Sequence, residues 1–329
     1  MRNKLLAAAI LTGLPLTVNA AIIDNGTIQM GVDTLGQLNV GGGTVSAGGT
    51  VATGLRYLPG NLEATAPGCL CEGWGVGIGE TGQGGSANNA NETAGLTSVS
   101  FTSTASTATS VVTVDGTGLR VTHSFVPAAE TNNLYRVSVK IENTSAVDIA
   151  DLRYTRTFDW DVEPTAFNEY VTHVGTGTTT ALRYSNNNGF ENSNPFAGRS
   201  PLSGVLPNTD FTDAGAFDHG SNFDFGFGEL KAGAAYDFDI FYGAAANESL
   251  ALAALGSVGV ELYSLGQSRA ADGSANNGGV TFMFAFKGVG GSVVVPPPGP
   301  SPIPVPAAGF LMLGGMGALG ALRLRRKQG

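Results

Sequence analysis

The run Asp159-Trp160-Asp161-Val162-Glu163 sets three carboxylates two residues apart. On a β-strand that spacing projects them from one face. There they could share a divalent cation through hard oxygen ligands, or divide acid and base roles as a glycosidase pair does. The plainer reading is a solubilising outer strand face. Glu163 precedes Pro164, which favours a bend, so it is expected to leave the strand. Asp237 and Asp239 repeat the i, i+2 spacing, and Asp210, Asp213, Asp218 and Asp224 populate the stretch before them. None fits the D-x-[DN]-x-[DN]-G calcium loop, so a site built across strands is the remaining cation arrangement. Asp159, Asp161, Asp237 and Asp239 are the candidate calcium ligands. Arg156 falls on the apolar side of its strand and needs a partner. An internal carboxylate or backbone carbonyls is the simplest one, and a ligand carboxylate or sugar the alternative. Arg156, Asp159, Trp160 and Asp161 therefore form the candidate ligand-binding set.

Other chemistries find less support. His123, His173 and His219 are the only histidines, without H-E-x-x-H or H-x-H spacing. Surface or hydrogen-bonded roles are expected for them, and no G-x-S-x-G elbow occurs. Gly77, Gly79 and Gly82 spell G-x-G-x-x-G without a following helical pattern, so a dinucleotide site is not expected. Cys69 and Cys71, the only cysteines, predict a local disulfide in a tight ring.

The elements that must position these groups are strands. Tyr135, Val137, Val139 and Ile141 alternate with Arg136, Ser138, Lys140 and Glu142, the period of a strand with one buried face. Leu152, Tyr154, Phe158 and Trp160 alternate likewise with Arg153, Thr155, Thr157, Asp159 and Asp161. Further strands are expected at 96–102, 110–114, 119–126, 223–230, 235–242, 258–265 and 280–287. One helix is expected at 248–255, between a cap at Asn247 and a stop at Gly256. Residues 22–94, rich in glycine, read as loop towards their end, and 185–221 as a loop-dominated candidate binding surface. The fold class is therefore all-β, a β-sandwich with one short helix.

Both ends carry address information. Arg2 and Lys4, the apolar run 5–16 and Val18-Asn19-Ala20 make a secretory signal peptide cleaved between Ala20 and Ala21. Ala307 to Leu322 gives 16 residues without charge, about 24 Å as a helix, with flanking arginines able to snorkel. The glycines of this run make a poor soluble helix. Arg323, Arg325, Arg326 and Lys327 follow at once and place the C-terminus in the cytoplasm. Residues 296–306 are a polyproline spacer. The expected organisation is signal peptide 1–20, extracellular β domain 21–292, linker and sorting motif 293–306, transmembrane segment 307–322 and basic tail 323–329.

The tail resembles the C-terminal sorting signal of the PEP-CTERM class, closest to its VPLPA branch, through Ile303, Pro304, Val305, Pro306, Ala307, Ala308 and Gly309. Val305 stands where the namesake branch has Glu, and Ile303 replaces the first Val of VPLPA. The resemblance implies a Gram-negative bacterium, delivery through Sec machinery and an exosortase, and removal of the membrane helix. Residues 119–164 resemble in rhythm the paired strands of β-supersandwich proteins such as sugar mutarotases. GCLCEGWG and FYGAAANESLALAALGSVGVELYSLGQ resemble segments of PEP-CTERM β domains.

Six of the 17 basic residues lie in the two signals, so the delivered part carries 11 basic against 26 acidic residues, a net charge of −15 rather than −9. This excludes nucleic acid as a partner and opposes unaided binding of anionic polysaccharide, while calcium or a neutral glycan is compatible. Three readings follow: an exported surface or matrix protein that contacts exopolysaccharide or other surface proteins without catalysis, a carbohydrate-active enzyme, or an adhesive protein whose copies are bridged by calcium.

Overall fold

The computed structural model describes residues 20–293. Residues 1–19 of the expected signal peptide, the sorting motif, the apolar segment 307–322 and the basic tail lie outside the described residues, whereas the expected cleavage position, Ala20 and Ala21, falls at the start of the first strand. Among those described, no helix is long and apolar enough to cross a membrane.

The chain is mostly β. Its strands in order are β1 (Ala20–Asp24), β2 (Ile28–Asp33), β3 (Val40–Gly41), β4 (Ala52–Thr53), β5 (Leu55–Tyr57), β6 (Leu62–Glu63), β7 (Gly73–Ile78), β8 (Gln83–Asn88), β9 (Leu96–Ser103) and β10 (Ala108–Val114). There follow β11 (Leu119–Pro127), β12 (Leu134–Asn143), β13 (Ile149–Trp160), β14 (Tyr170–Val174), β15 (Leu182–Asn186), β16 (Phe211–Gly215), β17 (His219–Leu230) and β18 (Ala235–Ala245). After helix α1 (Glu248–Val258), β19 (Leu262–Gln267) and β20 (Thr281–Lys287) complete the described chain.

Two antiparallel sheets dominate, a nine-stranded one ordered β16-β14-β19-β20-β18-β12-β11-β10-β9 and a five-stranded one ordered β15-β17-β13-β7-β8. They pack face to face through aromatic rings. Phe158 of β13 lies 4.8 Å from Phe284 of β20 and 5.5 Å from Tyr242 of β18, and Tyr154 lies 5.0 Å from Phe238. Such ring pairs add stability beyond the area they bury. The smaller sheet β1-β2-β5-β6 joins the same core through Ile23, Ile28, Met30 and Leu55.

Sequence periodicity and structure agree on β12, whose Tyr135, Val137, Val139 and Ile141 are buried, while Ser138 and Lys140 are exposed. On β13 the alternation holds but its meaning changes. Its outer face is not solvated: Thr155, Thr157 and Asp159 are buried along with the inward residues. The segment 187–200 lies over it, and a Cβ on Gly75 of the neighbouring β7 would stand only 2.0 Å from the Ser193 carbonyl oxygen. The glycine-rich character of β7 thus lets a loop rest directly on the strand.

Three expected boundaries are corrected. Eight strands precede Leu96, including β8 inside the expected surface loop. The helix runs through Gly256 to Val258 and stops at Gly259, whose φ of 67° forms a left-handed C-cap, so the following strand starts at Leu262 instead of 258. The expected N-cap is present, with Asn247 accepting from the Leu250 amide. Finally, the expected loop 185–221 contains β16 and the first residues of β17.

Candidate functional site

The two faces of β13 present two kinds of buried charge. On the inner face Arg156 is fully buried and its Nε pairs with Glu72. Glu72 also accepts from the Tyr242 hydroxyl at 2.9 Å, and the Arg156 guanidinium lies 5.6 Å from the Tyr242 ring. Trp160 is equally buried, and its Nε1 donates to Ser264 Oγ at 3.0 Å. Arg156 thus has the internal carboxylate partner that an arginine on an apolar face requires. It and Trp160 lie away from any surface a ligand could reach.

The outer face ends differently. Asp159 and Asp161 are 1% and 0% exposed, yet Asp159 Oδ1 and both Asp161 oxygens have no hydrogen-bond partner. Carboxylate oxygens of Asp159, Asp161 and the partly exposed Asp218 lie within 4.8 Å of one another. Glu169 stands behind them, with Oε1 accepting from the His219 amide at 2.9 Å and Oε2 unpartnered. Asp218 Oδ1 is unpartnered as well. Among the described residues, no lysine or arginine is within ion-pair distance of any of the four.

Local sequence explains how these groups meet. Asp159 pairs in register with Gly220, which delivers Asp218 and His219 to the end of β13. Gly189 crosses directly above, where a Cβ would lie 2.6 Å from Asp159 Cα. The Asp161 amide donates to the Ala64 carbonyl at 2.7 Å, which fixes the strand as it leaves the sheet. On the other side the Cys69–Cys71 disulfide is formed, and Cys69 Sγ rests 3.2 Å from Asp159 Oδ2.

Crowding carboxylates away from water favours their protonated forms. Burial, then the neighbouring Asp218 charge, pushes Asp159 up to about 8. Burial and the surrounding acids, Asp159 first, push Asp161 up to about 10. Burial pushes Glu169 up to about 9 against the amide bond from His219. Asp218 is raised by burial too. Oxygen atoms this close suit a cation with ligand distances of about 2.3–2.6 Å, and an all-carboxylate set suits calcium more than a thiophilic metal. The residues present fit such an ion.

The remaining sequence candidates lie elsewhere. Asp237 and Asp239 are on β18 in the other sheet, where Asp239 accepts from Ser138 Oγ at 2.8 Å and lies 3.7 Å from Arg136 Nε. Glu163 leaves the cluster and is satisfied by the Thr50 hydroxyl at 2.6 Å, the Glu63 amide at 3.0 Å and Ser46. All three histidines are buried, and of the surface or hydrogen-bonded roles open to them in sequence His123 and His173 take the second. His123 Nε2 bonds Tyr154 at 3.2 Å, and burial lowers this imidazole well below its ordinary value. His173 Nε2 bonds Ser221 at 2.7 Å, and burial followed by the charge of His219 lowers it to about 3. Glu169 carried no signal in sequence. Asp218 was one acidic residue among several in its stretch, and only the pairing of β13 with β17 singles it out.

Comparison with known proteins found no family model and no curated relative that matches the chain.

Proposed function

We propose that this is an exported, exosortase-processed protein of the cell surface or extracellular matrix, which works without catalysis by holding a calcium ion and contacting surface polymers or other surface proteins. The reading takes the supersandwich-like rhythm of the β domain and the membrane segment 307–322 from sequence. One observation carries the cation assignment: carboxylate oxygens of Asp159, Asp161 and Asp218 lie within 4.8 Å of one another, and both Asp161 oxygens and one oxygen of each of the other two have no hydrogen-bond partner. Leaving such groups unmatched is costly, and a divalent ion is the simplest species that matches all of them.

Calorimetric titration of chelator-treated protein with calcium chloride tests the assignment. Saturable heat and a raised Tm are expected, both lost in Asp161→Asn. Neither heat nor a thermal shift in the parent protein would sink it. The catalytic alternative has one observation in its favour, the raised Asp159 and Asp161, since a carboxyl kept protonated at neutral pH can serve as a general acid. Turnover of candidate polysaccharides would decide for it.

A further inference from the structure

The disulfide that borders the acidic cluster is buried unevenly. Cys71 is 2% exposed, whereas Cys69 and Leu70 are partly exposed and Gly68 is open to solvent. The Sγ atoms of both cysteines and a carboxylate oxygen of Asp159 lie within 4.8 Å of one another, with Cys69 Sγ 3.2 Å from Asp159 Oδ2. Asp159 is itself 1% exposed, and its Oδ1 has no hydrogen-bond partner. The backbone at the inner cysteine is fixed from β8, where Asn88 Nδ2 donates to the Cys71 carbonyl oxygen at 2.7 Å. Opening the sulfur–sulfur bond therefore leaves two thiols and a carboxylate already gathered.

Their spacing suits a soft ion. Zinc takes sulfur at about 2.3 Å and carboxylate oxygen at about 2.1 Å in a tetrahedron, which sets sulfur and oxygen about 3.6 Å apart and two sulfurs about 3.8 Å apart. The first separation is close to the 3.2 Å between Cys69 Sγ and Asp159 Oδ2. The second is within reach of two side chains whose Cα atoms are 5.2 Å apart. Thiolate ligands select zinc over calcium, which takes oxygen.

We propose that Cys69, Cys71 and Asp159 form a zinc site that opens when the disulfide is reduced. The reductant is a small dithiol. One of its thiolates attacks Cys69 Sγ, the sulfur–sulfur bond breaks with its electron pair on Cys71, and the second thiol of the reductant then displaces Cys69. The products are two cysteine thiols and the cyclic disulfide of the reductant, a two-electron exchange. Zinc binds both sulfurs as thiolates, whose protons pass to solvent, and Asp159 supplies the third ligand, which leaves the fourth position to water. The reverse exchange with an oxidised dithiol joins the sulfurs and releases the ion. This site shares Asp159 with the calcium site but does not rest on that reading, because two of its three ligands are sulfur.

The test uses cobalt(II) as a spectroscopic substitute for zinc, in chelator-treated protein reduced with dithiothreitol and then freed of it under nitrogen. A thiolate-to-cobalt charge-transfer band is expected, saturating at one cobalt per chain and bleached by added zinc. The oxidised protein and Cys69→Ser should give no such band. Asp159→Asn, which keeps both thiols, should weaken zinc binding by about tenfold or more in equilibrium dialysis. Near-ultraviolet circular dichroism of the reduced protein should keep its folded signature, so that binding is read from the folded chain. No band in the reduced parent, equal zinc affinity before and after reduction, parent-like zinc affinity in Asp159→Asn, or loss of the folded signature on reduction each overturns the proposal. Calcium titration of the oxidised protein reports on the calcium reading separately.

Discussion

The inner and outer faces of β13 bury ionisable groups within a few residues of one another and treat them in opposite ways. Inside, Arg156 meets Glu72, and Tyr242 takes up a further lone pair of that carboxylate. Outside, Asp159 and Asp161 meet the acid Asp218 and the Cys69 sulfur, with no base among them. A buried charge with a matched partner explains itself as structure. Buried acids collected without a base are driven towards their protonated forms, and the contrast is what separates a core ion pair from a candidate site.

Breaking the inner pair should have the largest effect. Glu72→Gln leaves the Arg156 charge uncompensated and should cost about 3–5 kcal/mol in urea unfolding. Replacing both partners, with Arg156→Met and Glu72→Leu, should recover most of the loss. A single variant that unfolds like the parent would show that the pair does not hold the core together.

The outer face should respond to calcium instead. With the ion at about 100 times its Kd, stability should rise by about 2.7 kcal/mol. Asp161→Asn should lose that gain while changing the stability of the ion-free protein by less than about 1 kcal/mol, since an amide resembles the protonated acid. Differential scanning calorimetry with and without chelator measures both quantities.

The two faces should also separate by pH. Asp159, Asp161 and Glu169 titrate at about 8, 10 and 9 in the folded chain, above the ordinary carboxylate range. Between those limits the folded state holds more protons than the unfolded one. Ion-free protein should therefore lose stability as pH rises from about 5 to 8, by about 1.4 kcal/mol per pH unit for each such proton. Urea unfolding in chelator at several pH values checks this, and stability that rises over the range would contradict the buried, unpaired state of these acids. The smallest effect is expected for Asp237→Asn with Asp239→Asn on the other sheet, with calcium affinity retained and stability within about 0.5 kcal/mol of the parent.

Much of the fold was legible where side chains alternate. Tyr135 to Ile141 and Leu152 to Trp160 announce strands because one apolar face must be hidden. β1 to β8 were not legible for a different reason. In β7, GWGVGI, Trp74, Val76 and Ile78 do alternate, but the positions between them are glycines, which leave room for the Ser193 loop and in sequence ordinarily mark turns. The site was half legible. Asp159 and Asp161 stand out by spacing, but solvent and burial give the same i, i+2 pattern, so periodicity could not say that the outer face was covered.

The sequence by itself determined the all-β class, the Asn247 cap, the acid pair at the end of β13 and the need of Arg156 for a partner, because each follows from neighbours along the chain. Only the tertiary structure decided that Glu72 is that partner, that Asp218 joins the pair, and that Asp237 and Asp239 do not. Those outcomes depend on which strands lie side by side and which loop crosses above them, and pairings between distant segments leave no mark in local spacing.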